Sequence, residues 1–264
     1  MEGAHGADEH REGERLTLSD AAAAWSGATY ERIAEALAPI HRRIVEMLEP
    51  QPGECFLDLA CGTGGVALVA ARTGADVTGL DISADQLVKA QAAAEEAGVS
   101  ITFDEGDAQA LPYADSSFDA VASVFGMIFA PDHGRAGAEL TRVCRPGAQV
   151  AITAWPNDAW AQLGARLRPN YEGVDAQPSA EAEYVRRLLP QFDLRFERGE
   201  STIAAHSPEE LWDLLASSVP PLKAWLDTLD DPARESARAQ YMQLFDGGRL
   251  IREYVLILGT RHEP

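Results

Sequence analysis

The sequence predicts a doubly wound α/β fold: a mostly parallel sheet of seven strands, with an irregular, weakly helical insert before the last of them. Three observations predict it. Strand-like and helix-like stretches alternate from about residue 55 to residue 155, the pattern of right-handed βαβ units with both sheet faces covered. The first strand-like run, "FLDLACGTGG" at 56–65, ends in a carboxylate and breaks into small residues and glycines. After Trp155 the alternation is lost until an apolar run, "REYVLILGTR" at 252–261, closes the chain.

Taken in order, the start "MEGAHGADEHREGER" is polar and acidic, and residues 1–18 are expected to form a disordered tail. A helical region follows from Ser19 to Glu49. Ile33, Leu37, Ile40, Ile44 and Leu48 recur there at spacings of three or four, which places them on one face. Pro39 lies within it and is expected to kink or split it. "QPGE" at 51–54 is a turn, and "CFLDLA" then reads as a short buried strand. Residues 64–73 read as a helix and 75–80 as a strand. "SADQLVKAQAAAEEAG" at 83–98 reads as a helix, with Ser83 placed to cap it and Gly98 to end it. Strands follow at 101–106 and 118–125, a helix at 132–145, a turn at "RPG", and a strand at 148–155.

Residues 156–250 form the expected cover, with weak helical patterns, a strand near 194–204 and a capping-box signature at Ser207 and Glu210. Residues 19–155 would then be the N-terminal helix plus the ligand-binding core, and 251–264 the final strand and C-terminus.

Composition narrows the partners. The 264 residues include 42 acidic against 22 basic, a net charge of −20, and the only lysines are Lys89 and Lys223. Polyanion binding needs clustered Lys and Arg, so nucleic acid and anionic membranes are poor partners. Cys55, Cys61 and Cys144 form no C-x-x-C pair, which argues against a disulfide framework or a zinc cluster and for a reducing compartment. The polar, acidic start is expected to be neither a signal nor a transit peptide, and no apolar run is long enough to cross a bilayer. A cytoplasmic location is the expectation.

In open α/β sheets ligands bind at the carboxyl ends of the strands, where glycines let a backbone come close to them. Asp81 ends the second strand, seventeen residues past Gly64, where a carboxylate can accept from both ribose hydroxyls of an adenosine. A nicotinamide dinucleotide would use the same features, and "GTGGVA" satisfies the G-x-G-x-x-A fingerprint. Three features point elsewhere. Asp58 would repel a pyrophosphate but attract a sulfonium or an ammonium. There is no Tyr-x-x-x-Lys pair, and Asp107 supplies a further carboxylate just past the third strand. Neither a phosphate loop, a zinc helix nor a nucleophile elbow occurs.

The run Asp58–Gly64 resembles the first motif of the class I S-adenosylmethionine-dependent methyltransferases. "GLDIS", "GDAQALPYADSSFDAV" and "RVCRPGAQVAI" resemble their later motifs in order and spacing, and the look is that of the small-molecule branch with the ubiquinone and menaquinone methyltransferases. The likeness covers about residues 30–155, with Ala60 and Ala148 in place of frequent glycines. It implies a Rossmann-like fold whose sheet ends in an antiparallel C-terminal strand and carries a helical substrate-cover insert, S-adenosyl-L-methionine as cofactor with S-adenosyl-L-homocysteine as product, and a small-molecule acceptor.

By that resemblance Asp58, Ala60, Gly62 and Gly64 would surround the methionine part. Asp81 would take the ribose, with Ile82 on the adenine and Gln86 joining them. Asp107 and the Ala108 backbone would read the adenine edge. Phe125 and Gly126 would border the sulfonium, and Tyr30 would help close the pocket.

Methyl transfer is an in-line displacement that consumes charge, so an apolar pocket favours it, and Met127, Phe129 and Trp155 are the expected substrate wall. His133 is the candidate catalytic base, more readily explained as an exposed residue starting a helix. His206 comes second, and His41 and His262 have less claim. The aromatics Trp155, Trp160, Tyr171, Trp212 and Trp225 would form either a lid over the acceptor or the core of the insert. Arg166, Arg168, Arg186 and Arg187 would grip an acidic substrate or lie solvated. Two other functions stay open: a nicotinamide-dependent oxidoreductase, and a non-catalytic cofactor-binding subunit.

Overall fold

The computed structural model describes Trp25 and residues 31–168 and 178–263. The expected tail at 1–18, Tyr30 and Tyr171 lie outside the described residues.

Helix α1, Glu31–Leu48, is continuous through Pro39 rather than split. Ile33, Leu37, Ile40, Ile44 and Leu48 are all buried on its inner face. Burial of this stripe on both sides of Pro39 outweighs the roughly 3 kcal/mol that an interior proline costs a helix. The core follows in the expected alternation: β1 Cys55–Leu59, α2 Gly65–Ala71, β2 Asp76–Asp81, α3 Ala84–Ala97, β3 Thr102–Glu105, β4 Phe118–Val124, α4 His133–Val143 and β5 Cys144–Ala154. Ser83 and Gly98 stand at the two ends of α3, the glycine in the left-handed conformation that stops it.

The "RPG" turn lies inside β5 instead of before it. Phe118 pairs with Cys144 and Ala120 with Gln149, so five steps along β5 match two along β4. The surplus residues bulge out, with Gly147 at φ +79. Ala148 is buried beside it, and its methyl group fits there.

The second half adds α5 Ala159–Leu167, α6 Ala182–Leu188, β6 Phe192–Ala204, α7 Pro208–Ser218, α8 Pro220–Leu226, α9 Asp231–Met242 and β7 Arg249–Arg261. The sheet order is β3-β2-β1-β4-β5-β7-β6. The pairs joining β1 to β5 are parallel, whereas β7 runs antiparallel to both β5 and β6. Strand order therefore reverses between β1 and β4, which opens a crevice at their carboxyl ends.

Trp160, Trp212 and Trp225 pack around the buried Tyr241, with ring centroids 4.5, 5.8 and 6.5 Å away. These aromatics fill the core of the insert. The Ser207 hydroxyl caps α7 by accepting from the Glu210 N–H, but Glu210 reaches back to the His206 N–H, one residue before the usual partner. Among the described residues no helix is long and apolar enough to cross a membrane.

Candidate cofactor and acceptor cleft

Asp58 sits in the middle of the sheet at the end of β1, 2% exposed, and its carboxylate accepts from the Ala67 N–H of α2 at 2.9 Å. Burial pushes its carboxyl up to about 7, against the pull of that hydrogen bond and with repulsion from Asp81 adding to the rise. The chain then turns through Ala60 at φ +57, Gly62 at φ +53 and Gly64 at φ +79. Asp81, at the end of β2, straps this turn down. Its two oxygens accept from the Gly62 N–H at 2.7 Å and the Ser83 N–H at 2.9 Å. Burial raises the Asp81 carboxyl as well, while these bonds hold it back.

Phe125 ends β4 at φ +54, a conformation that a bulky residue adopts only when its surroundings impose it. Its N–H donates to the Thr153 hydroxyl, and its ring stacks on Trp155 at 3.9 Å and 4°. The next residue has no alternative to glycine. A Cβ on Gly126 would lie 2.4 Å from the Ala60 Cβ and 2.8 Å from its carbonyl oxygen. The turns that leave β1 and β4 thus meet, Ala60 against Gly126, at the point where the sheet order reverses.

These elements wall a cleft of about 140 Å³, open at its mouth. Of the residues expected from the sequence, it brings together Asp58, Ala60, Gly62, Asp81, Ile82 and Gln86 from the first half of the site. Asp107, Ala108, Phe125, Gly126, Met127 and Phe129 line the remainder. Asp107 is engaged by Gln109, whose side-chain amide donates to both its oxygens at 3.2 and 3.1 Å.

Three expected residues stand elsewhere. Gly64 caps α2 and faces Ala90 and Phe103 rather than the cleft. Trp155 lies behind Phe125, with the Arg252 guanidinium 4.3 Å above its ring. His133 is buried, not exposed, and does not line the cleft. Its Nε2 lies 2.9 Å from the Ile128 carbonyl oxygen and its Nδ1 3.0 Å from the Tyr184 hydroxyl, so both ring nitrogens are spent on packing. Nor do the four arginines reach the cleft: Arg186 lies over Phe196 and Arg187 pairs with Glu183 on the surface. His206 is exposed and paired with Glu210.

Trp25, Ala34, Leu37 and Gln109 line the cleft without having been expected there, and so does His41, which had little claim from the sequence. His41 follows Leu37 by four residues and precedes Ile44 by three, so the helical stripe itself places it inward. It is 8% exposed, and burial holds its imidazole down at about 4, with the neighbouring Arg42 adding to the effect.

Comparison with known proteins agrees with this geometry. A family model described as a methyltransferase domain matches residues 56–147. Two uncharacterized proteins of Mycobacterium tuberculosis strain H37Rv are similar. One is 34% identical over 219 residues, covering 79% of this chain and 80% of that protein. The other is 40% identical over 162 residues, covering 60% of this chain and 59% of that protein, so the match spans little more than half its length. The demethylmenaquinone methyltransferase of Thermus thermophilus is 36% identical over 135 residues, half of this chain and 61% of that enzyme. Among solved structures, the YcgJ protein of Bacillus subtilis superposes with a TM-score of 0.62 at 18% identity, covering 87% of this chain and 99% of that one, which shows a shared fold. With motifs, sheet order and cleft all in agreement, the chain belongs to the class I S-adenosylmethionine-dependent methyltransferases.

Proposed function

We propose that this chain transfers a methyl group from S-adenosylmethionine to a small, uncharged, largely apolar acceptor. One observation carries the reading. The cleft at the sheet's reversal point holds three carboxylates, Asp58, Asp81 and Asp107, and no lysine or arginine among its described lining residues. Such a site repels a dinucleotide pyrophosphate and suits a ligand bearing a sulfonium and an ammonium.

The residues fit that cofactor on their own evidence. The Gln86 Oε1 is buried and has no hydrogen-bond partner among the described residues, while its Nε2 donates to the Trp25 carbonyl oxygen at 3.1 Å. An acceptor held in this way suits a hydroxyl or amino donor on a bound nucleoside. At Gly62 a Cβ would meet no atom of the other described residues within 4 Å, so the turn faces open space there. Asp58 and the turn would hold the amino-acid end, Asp81 and Gln86 the ribose, and Asp107 with the Ala108 backbone the adenine.

When bound, the cofactor supplies an electrophilic methyl group on sulfur. The chain has to orient the acceptor and exclude water, and alignment alone contributes on the order of several kcal/mol. Met127, Phe129, Ala34 and Leu37 give an apolar wall free of formal charge for that purpose. A wall of this kind favours a transition state in which positive charge is being consumed. With both His133 nitrogens occupied, the reading assigns it a structural task and no proton transfer.

Isothermal titration tests the reading. S-adenosylhomocysteine is expected to bind with a micromolar Kd and NADH not to bind. Binding of NADH in its place would return the nicotinamide alternative.

A further inference from the structure

Resting on the cofactor reading above, we propose that His41 recognises the carboxylate of the cofactor's amino-acid end. That end carries an ammonium and a carboxylate together. Asp58 and Asp81 answer positive charge, but neither can meet the carboxylate. Among the described lining residues there is no lysine or arginine, and the neutral imidazole of His41 offers an N–H donor there.

Its position matches the task. A Cβ built on Gly65 would lie 2.4 Å from the His41 Cε1 and 2.5 Å from its Nδ1, so the imidazole packs on the backbone where the glycine turn ends. This is the part of the wall next to the turn that would enclose the methionine portion, not the Phe125–Pro131 stretch that would face the acceptor. The residue is 8% exposed and forms part of the cleft wall. No hydrogen bond to either ring nitrogen is seen among the described residues. Neither nitrogen is a sealed-off, unpartnered atom, so both are reached from the cleft and stay available to a ligand. A ligand carboxylate supplies a partner for the N–H.

The recognition is tested with two ligands that differ only in that carboxylate: S-adenosylmethionine and decarboxylated S-adenosylmethionine, which keeps the sulfonium and the ammonium. The wild-type chain is expected to prefer the former by tenfold or more. His41→Met, close in size but without a donor, is expected to weaken S-adenosylmethionine about tenfold and to leave the decarboxylated ligand within twofold. His41→Gln, which keeps an N–H, should recover part of the loss, and His41→Ala should behave like the Met variant if α1 stays folded by circular dichroism.

Equal weakening of both ligands in the Met and Ala variants would reduce His41 to a packing residue and overturn the proposal while the cofactor reading stands. Unchanged affinity for both would overturn it too. Failure of the wild-type chain to bind either ligand would remove the cofactor reading and this inference together.

Discussion

The imidazole of His41 occupies the space that a side chain on Gly65 would need, with its Cε1 2.4 Å from where that Cβ would be. Helix α1 and the start of α2 are therefore fitted to each other through one histidine and one missing methyl group. The pair ties the N-terminal helix to the cleft, and it makes several outcomes predictable.

Gly65→Ala should destabilise. In an ordinary helical position the exchange would stabilise by about 1 kcal/mol. Here the added methyl group must displace a buried ring, at a cost of about 1–3 kcal/mol. Urea denaturation measures it. The double variant with His41→Ala should recover most of the loss, giving a coupling of more than about 1 kcal/mol in the mutant cycle.

Acid titration should reveal two opposed groups. His41 is held at about 4 against 6.5 unfolded, so its contribution is present above pH 6.5 and lost as pH falls towards 4, about 3 kcal/mol in all. Asp58 is raised from 3.8 to about 7, so its contribution is present below pH 3.8 and lost as pH rises through 7, an effect of similar order. In the wild-type chain the two largely cancel between pH 4 and 6.5. Asp58→Asn should expose stability that rises with pH in that window, and His41→Gln stability that falls. Denaturation midpoints at half-unit pH steps check both signs.

Asp81 should prove both structural and functional. Asp81→Ala strands the Gly62 and Ser83 N–H groups and should cost about 1–3 kcal/mol before any ligand is added. Asp81→Asn keeps an oxygen for one of them. It is expected to remain folded while losing at least tenfold in affinity for S-adenosylhomocysteine, read by titration calorimetry.

Gly126→Ala should be the most damaging single methyl group in the cleft, since its contacts include the Ala60 carbonyl oxygen, which no rotamer change can move aside. Loss of more than about 2 kcal/mol in stability is expected, together with loss of ligand binding. Thermal unfolding and calorimetry report the two effects separately.

Much of this architecture was legible in the residues. Apolar runs ended by Asp58, Asp81 and Phe125 marked strand tips, and the alternation of elements placed those tips along one edge of the sheet. His41 was not legible in the same way. Its spacing puts it on the buried stripe of α1, but whether an inward histidine meets core or cleft depends on how closely α1 docks, which Gly65 decides. His133 misled for the reverse reason. Its place at a helix start reads as exposed, yet Tyr184, fifty-one residues further along, covers it. Trp155 follows a strand whose alternation is local, and its place behind Phe125 rests on stacking with a residue thirty positions earlier in the chain. In the insert the periodicity is weak because α7, α8 and α9 share one aromatic core centred on Tyr241, which no single helix displays.

The most direct test of the cofactor assignment is a crystal structure of the chain with S-adenosylhomocysteine. The account predicts the ligand lying across the tips of β1, β2 and β4, its ribose on Asp81 and its amino-acid end between Asp58 and His41. Density for the ligand elsewhere, or an empty cleft at saturating concentration, would contradict it.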